Sequence, residues 1–146
     1  RLDTVQAAIL DIKLKHLDAY CESRRKVADY YDSAFAGHTI IKTPVRAAYA
    51  KHVFHQYTLV LDAATQPAAT RNALKDFLAG HNIPSMIYYP VPGHKQKMFE
   101  QFNVASQNLS VTDWLTERVI SLPIHTEMDE EQLNFICSKV LEFFKK

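Results

Sequence analysis

Apolar residues recur at three- and four-residue steps from position 2 to about position 35, a period that predicts one long helix over 2–35. Val5, Ile9, Ile12, Tyr20, Val27 and Tyr31 form one stripe, and Leu10, Leu14, Leu17 and Cys21 form a second beside it. Asp11, Lys13, Lys15, Asp18 and Glu22 keep a narrower polar face. A helix with one core contact needs a single stripe, so the first half is expected to meet two partners, one of them outside this chain. Gly37 ends the pattern, and the short β-branched stretch 38–42 reads as an edge strand.

Period-two alternation marks 53–61 as the clearest strand, with Val53, Tyr57, Leu59 and Leu61 on one face. Phe54, Gln56, Thr58 and Val60 fall on the other. A helix over 67–78 follows, with Pro67 in its first turn and Gly80 as its stop. Positions 83–89 return as a strand, which Pro90, Pro92 and Gly93 break. A short helical stretch over 96–102, a polar loop through Ser110, a helix over 111–119 and a short strand over 120–122 come next. The run Thr126-Glu127-Met128-Asp129 reads as a cap for a last helix whose apolar positions are Leu133, Ile136, Val140, Leu141 and Phe144. Lys145 and Lys146 suit its negative end. This order predicts an α+β fold: a long N-terminal helix, then a small, mostly antiparallel sheet with helices packed on one face. The expected division is 1–35 as a long helix and 36–146 as an α+β domain.

Composition narrows the function classes. The chain has 146 residues, 47% of them hydrophobic and 23% charged, enough for one packed core without a disulfide or metal staple. A formal net charge of +1, with both signs mixed along the chain, gives no long-range field for nucleic acid or an acidic membrane. Cys21 and Cys137 belong to no C-x-x-C pair and read as two buried, reduced thiols, which points to a cytoplasmic protein. Arg1 leads straight into an amphipathic helix with no secretory leader, as if the chain were cut from something longer.

Seven histidines raise a metal site, with His52-x-x-His55 the first candidate. On a strand, residues three apart point to opposite faces, so this pair does not share an ion, and no metal site is expected. His55 reads instead as a partly buried histidine beside Tyr57. With three glycines in all, the chain has neither a G-x-S-x-G elbow nor a glycine-rich phosphate loop. The stretch Ile87-Tyr88-Tyr89-Pro90-Val91-Pro92-Gly93-His94-Lys95-Gln96 is the most unusual. Its prolines stiffen a turn that carries two amphipathic rings and a histidine able to donate or accept near neutral pH. Residue chemistry alone leaves a ligand site and a plain stiff turn equally open. Leu122-Pro123-Ile124-His125 is a second turn of that kind, read first as structural.

Taken together, these segments resemble the DegT/StrS family of nucleotide-sugar aminotransferases. Arg1-Leu2-Asp3-Thr4-Val5-Gln6-Ala7-Ala8 is similar to the family's entry into the long helix between its two domains. His52-Val53-Phe54-His55-Gln56-Tyr57, Tyr88-Tyr89-Pro90-Val91-Pro92 with His94-x-Gln96, and Ser121-Leu122-Pro123-Ile124-His125 follow in the family's order. Gly93 and Thr126 depart from it, standing where Leu and Pro are usual.

The resemblance implies a fold-type I enzyme using pyridoxal 5'-phosphate (PLP), whose large cofactor-binding domain precedes Arg1. It implies amino transfer from an amino acid, glutamate by expectation, to a keto nucleotide-sugar in cell-surface or secondary-metabolite biosynthesis, by a homodimer. Carried over by position, Arg1 would support the cofactor of the adjoining subunit, and Tyr88, Tyr89 and His94 would line the nucleotide-sugar side. No catalytic residue is expected within this chain, which alone would be inactive. Two alternatives stay open: a free-standing ligand-binding or regulatory module on a similar scaffold, and the family's sugar-dehydratase variant. The first helix discriminates the former, because a self-sufficient domain would cover both of its stripes.

Overall fold

In the computed structural model, residues 2–65, 67–102 and 108–145 are described. Where one helix was expected over 2–35 there are two, α1 (Thr4–Leu14) and α2 (Leu17–Ala34). The junction at Lys15–His16 contains neither Gly nor Pro, and His16 caps α2 with no side-chain hydrogen bond. Asp3 starts α1 by accepting from the Val5 and Gln6 amides at 2.9 and 3.3 Å, which satisfies two of its free donors. None of α1's residues is buried. In α2, by contrast, Val27, Ala28 and Tyr31 are buried, and Phe35 follows them into the core.

The sheet has three antiparallel strands in the order β1 (Ile41–Lys42), β2 (Tyr57–Leu61) and β3 (Val119–Leu122). The edge strand is held at its start by His38, whose Nδ1 accepts from the Ile40 and Ile41 amides. In β2 the alternation holds: Tyr57, Leu59 and Leu61 are buried and Thr58 and Val60 partly so. Against them lie Ile120 and Leu122, with α2, α3 (Pro67–Gly80) and α5 (Glu130–Phe144) closing the core through Leu74, Leu78, Leu133, Ile136, Cys137 and Val140. On the opposite face Thr58 and Ser121 stand directly across the ladder and join hydroxyls at 2.8 Å. The observed architecture is the expected α+β arrangement.

Four local expectations are corrected. First, the strand begins at Tyr57 rather than Val53, and Phe54, placed by alternation on the face opposite Tyr57, is buried in the core with it. Its φ of 45° swings the side chain inward, so period-two counting fails there. Second, 83–89 is not a strand: it contributes a single bridge, Met86 to Ser121, with amide-to-carbonyl distances of 3.1 and 2.7 Å. Pro84 and Pro90 supply no amide for further rungs. Third, Gly80 is the last residue of α3 and not its stop. Asn82, at φ 59°, ends the helix, with its own amide donating to Ala79 and that of Ile83 to Leu78 in a Schellman closure. Fourth, Cys21 is half-buried rather than buried, and His55 is exposed; both thiols are free.

Two features fix the approach to β2. Arg46 pairs with Asp29 and Asp32 of α2, each at 2.6 Å, while its guanidinium lies 4.8 Å from the Phe54 ring centroid. Burial opposes its charge, but those two carboxylates outweigh it and raise its pKa. Tyr57 donates to the same Asp32 at 2.5 Å, and burial followed by that carboxylate pushes the phenol's pKa upward. Arg24 adds bonds from α2 to the carbonyls of Phe54 and His55. Finally, the cap of α5 lies at the end of the expected Thr126–Asp129 run and forms its box with Gln132: Asp129 accepts from the Gln132 amide at 2.8 Å while the Gln132 side chain accepts from the Asp129 amide.

Candidate functional site

The proline-stiffened turn follows the Met86 bridge, which pairs with β3 at Ser121. It passes through two 3-10 segments, Gly93–Lys95 and Lys97–Phe102. Gln96 closes the turn on itself, its side-chain amide donating to the Val91 carbonyl at 3.1 Å. Opposite stands α4 (Ser110–Thr116), which runs through Glu117 and Arg118 directly into β3. Arg71 of α3 anchors α4's last turn by donating to the Thr116 carbonyl, and burial lowers the pKa of its guanidinium.

Between the turn and α4 lies an open cleft of about 370 Å³. One wall is Tyr88, Tyr89, Val91, Pro92, Gly93 and Gln96; the other is Thr112, Leu115, Thr116 and Val119. Tyr89 is 72% exposed and Tyr88 39%, with their rings edge-on at 5.7 Å, so both present apolar faces and hydroxyls to solvent. Tyr88 also borders a smaller pocket of about 210 Å³ with His55, Gln56, Ser85 and Ser121.

The cleft therefore gathers Tyr88 and Tyr89 on one wall. His94 is placed differently from them: it does not line the cleft, and its side chain is only 6% exposed. Its Nε2 lies 3.4 Å from Asp113 of α4, and the same carboxylate oxygen takes the Lys95 ammonium at 2.8 Å. That Lys95 bond is the main reason the Asp113 pKa is lowered. Arg1 and positions 103–107 of the polar loop lie outside the described residues.

Sequence reasoning missed the α4 wall. The signal was present, because Thr112, Leu115, Thr116 and Val119 recur at three- and four-residue steps, but the helix was read without assigning that face a function. The second turn is structural at Pro123, whose carbonyl accepts from Tyr31 at 2.8 Å. No three His, Cys, Asp or Glu side chains among the described residues are grouped to hold a metal ion. No described helix is long and apolar enough to cross a membrane.

The lining of the cleft also tests for PLP. That cofactor needs an amine for its aldehyde and cationic or amide donors for its phosphate. Among the described residues, none that lines the cleft is a lysine, arginine, histidine or carboxylate, so these residues do not fit the group.

The comparisons with known proteins agree with one another. UDP-N-acetyl-3-dehydro-alpha-D-glucosamine 3-aminotransferase of Acidithiobacillus ferrooxidans is 41% identical over 140 residues, covering 96% of this chain and 35% of that protein. A protein of Geobacillus stearothermophilus named as a pleiotropic regulatory protein is 36% identical, covering 99% of this chain and 38% of its own length. Among solved structures, DesV of S. venezuelae in complex with a ketimine intermediate superposes with a TM-score of 0.90 at 29% identity, covering 100% of this chain and 38% of that one. The chain thus spans little more than a third of the proteins it matches. With the profile of the DegT/DnrJ/EryC1/StrS aminotransferase family matching residues 1–141, this chain belongs to that family.

Proposed function

We propose that this chain is the substrate-facing third of a PLP-dependent aminotransferase that moves an amino group from an amino acid, glutamate in our reading, to the keto carbon of a nucleotide-linked sugar. The observation that carries the reading is the make-up of the cleft. Two tyrosine rings, two threonines and a glutamine offer stacking faces and neutral hydrogen-bonding groups to a hydroxylated ring, with no amine to react. PLP, held by parts of the protein beyond these residues, would carry the amino group. Tyr89 and Tyr88 would lie against the sugar nucleotide, and Arg1 would reach the cofactor end across a homodimer interface.

The arrangement of α1 supports the same view. Val5, Ile9, Ile12 and Leu14 are each more than half exposed, as suits a helix whose two stripes face a large domain and a second subunit. A helix of 11 residues is marginal in water by itself, so a covering surface would also sustain it. In this picture 1–35 links the domains, 36–146 forms the small domain, and the chain alone is inactive. The free-standing regulatory module is the weaker reading, because it leaves this apolar face without a purpose.

The test is amino transfer by the full-length protein with PLP, glutamate and a panel of 3-keto and 4-keto UDP- and dTDP-hexoses, followed by 2-oxoglutarate release. We expect one panel member to be aminated and the isolated chain to give no saturable Schiff-base absorbance with PLP above a control protein. A deoxygenated, non-aminated sugar would establish the dehydratase variant instead. Saturable aldimine formation by the chain alone would overturn the division of labour.

A further inference from the structure

We propose that Asp113 is a positioning residue that sets the width of the tyrosine cleft, and with it the fit of the sugar, by clasping Lys95 and His94. The proposal rests on the cleft being the sugar site. Its two walls come from separate segments, the 88–96 turn and α4. Asp113 sits beside Thr112 at the foot of one wall, while His94 and Lys95 lie immediately after Gly93 at the foot of the other. The contacts are 2.8 Å to Lys95 and 3.4 Å to His94, both on Asp113 Oδ1. Among the described residues no other side-chain hydrogen bond or ion pair joins the two walls.

Magnitudes separate this role from a stabilising one. Lys95 is 46% and Asp113 36% exposed, so the pair is a surface ion pair of small net worth for folding. Its geometric effect is larger, because binding and reaction respond steeply to displacements of about 1 Å. His94 explains why the clasp holds one spacing. Its imidazole is buried at the joint, with a side chain only 6% exposed, so sliding the turn along α4 would drag that ring out into solvent. Gln96 braces the same turn from within through Val91, which leaves Asp113 as the link between the walls. On this account His94 acts through the wall and not by touching substrate.

The experiment uses the full-length protein with PLP and compares wild type, Asp113→Ala, Asp113→Glu and Lys95→Gln/Asp113→Ala. We expect Asp113→Ala to raise KM for the sugar nucleotide about tenfold, with kcat within about twofold. KM for the amino donor and the thermal midpoint should hold. Asp113→Glu, which keeps the carboxylate, should recover most of the loss, and Lys95→Gln should add nothing in the Asp113→Ala background. An unchanged sugar KM, or sugar and donor KM rising together, overturns the proposal. Wild type that transfers no amino group removes the functional reading and this inference together. Wild type that does, beside an Asp113→Ala that matches it, removes this inference alone.

Discussion

Helices α1 and α5 are both rich in large apolar side chains, yet they stand at opposite ends of the burial scale. In α5, Leu133, Ile136, Cys137 and Val140 are buried against α2, α3 and the sheet. In α1, Ile9 is 52% and Ile12 61% exposed, and no residue is buried. Both begin with an aspartate cap, Asp3 in one and Asp129 in the other. What differs is the surface opposite. Apolar content and good caps make a helix possible, while tertiary burial decides what it contributes to stability. Within this chain α5 builds the fold and α1 presents a face.

The largest expected separation is between core and α1 truncations. Tyr31, its ring tilted against that of Tyr57 at 4.8 Å and its hydroxyl bonded to the Pro123 carbonyl, occupies the interior that α5 covers. Tyr31→Ala should cost about 3–5 kcal/mol in urea unfolding of the chain. Ile12→Ala should stay within about 0.5 kcal/mol. If Ile12→Ala destabilises the isolated chain as strongly as Tyr31→Ala, α1 is not the uncovered face described above. The caps give a smaller contrast. Asp129→Ala removes half of a capping box on a helix that holds the core, at about 1 kcal/mol. Asp3→Ala should leave the unfolding midpoint in place and lower only helical signal by circular dichroism.

The smallest contrast is chemical. Burial pushes the Cys137 pKa up to about 12, so at pH 8 its thiol stays protonated and shielded, whereas Cys21 on α2 is half-buried. Alkylation with iodoacetamide should label Cys21 first and Cys137 on the timescale of unfolding. Equal rates under native conditions would contradict the packing of α5.

That same contrast shows what could be read from residues alone. The inner face of β2, the body of α3, the Asp129 cap and the apolar stripe of α5 follow from periodicity and capping chemistry, which act over four or five neighbours. The joint at Lys15–His16 does not, because no breaker residue marks it. Phe54 was misplaced because one left-handed residue resets the alternation on which a strand is counted. The site divides in the same way. Tyr88 and Tyr89 stood out through the prolines beside them. The place of His94, buried against an aspartate nineteen positions later, depends on the packing of α4, which no local pattern encodes.

The joint between α1 and α2 carries a consequence for how such a chain can change. Arg24 ties α2 to the carbonyls of Phe54 and His55, whereas no residue of α1 is buried. Substitutions in the opening segment can therefore track whatever body it meets without disturbing the remainder. Chimaeras that exchange this segment between relatives, joined at Lys15–His16, would swap docking preference and keep the sugar-facing cleft whole.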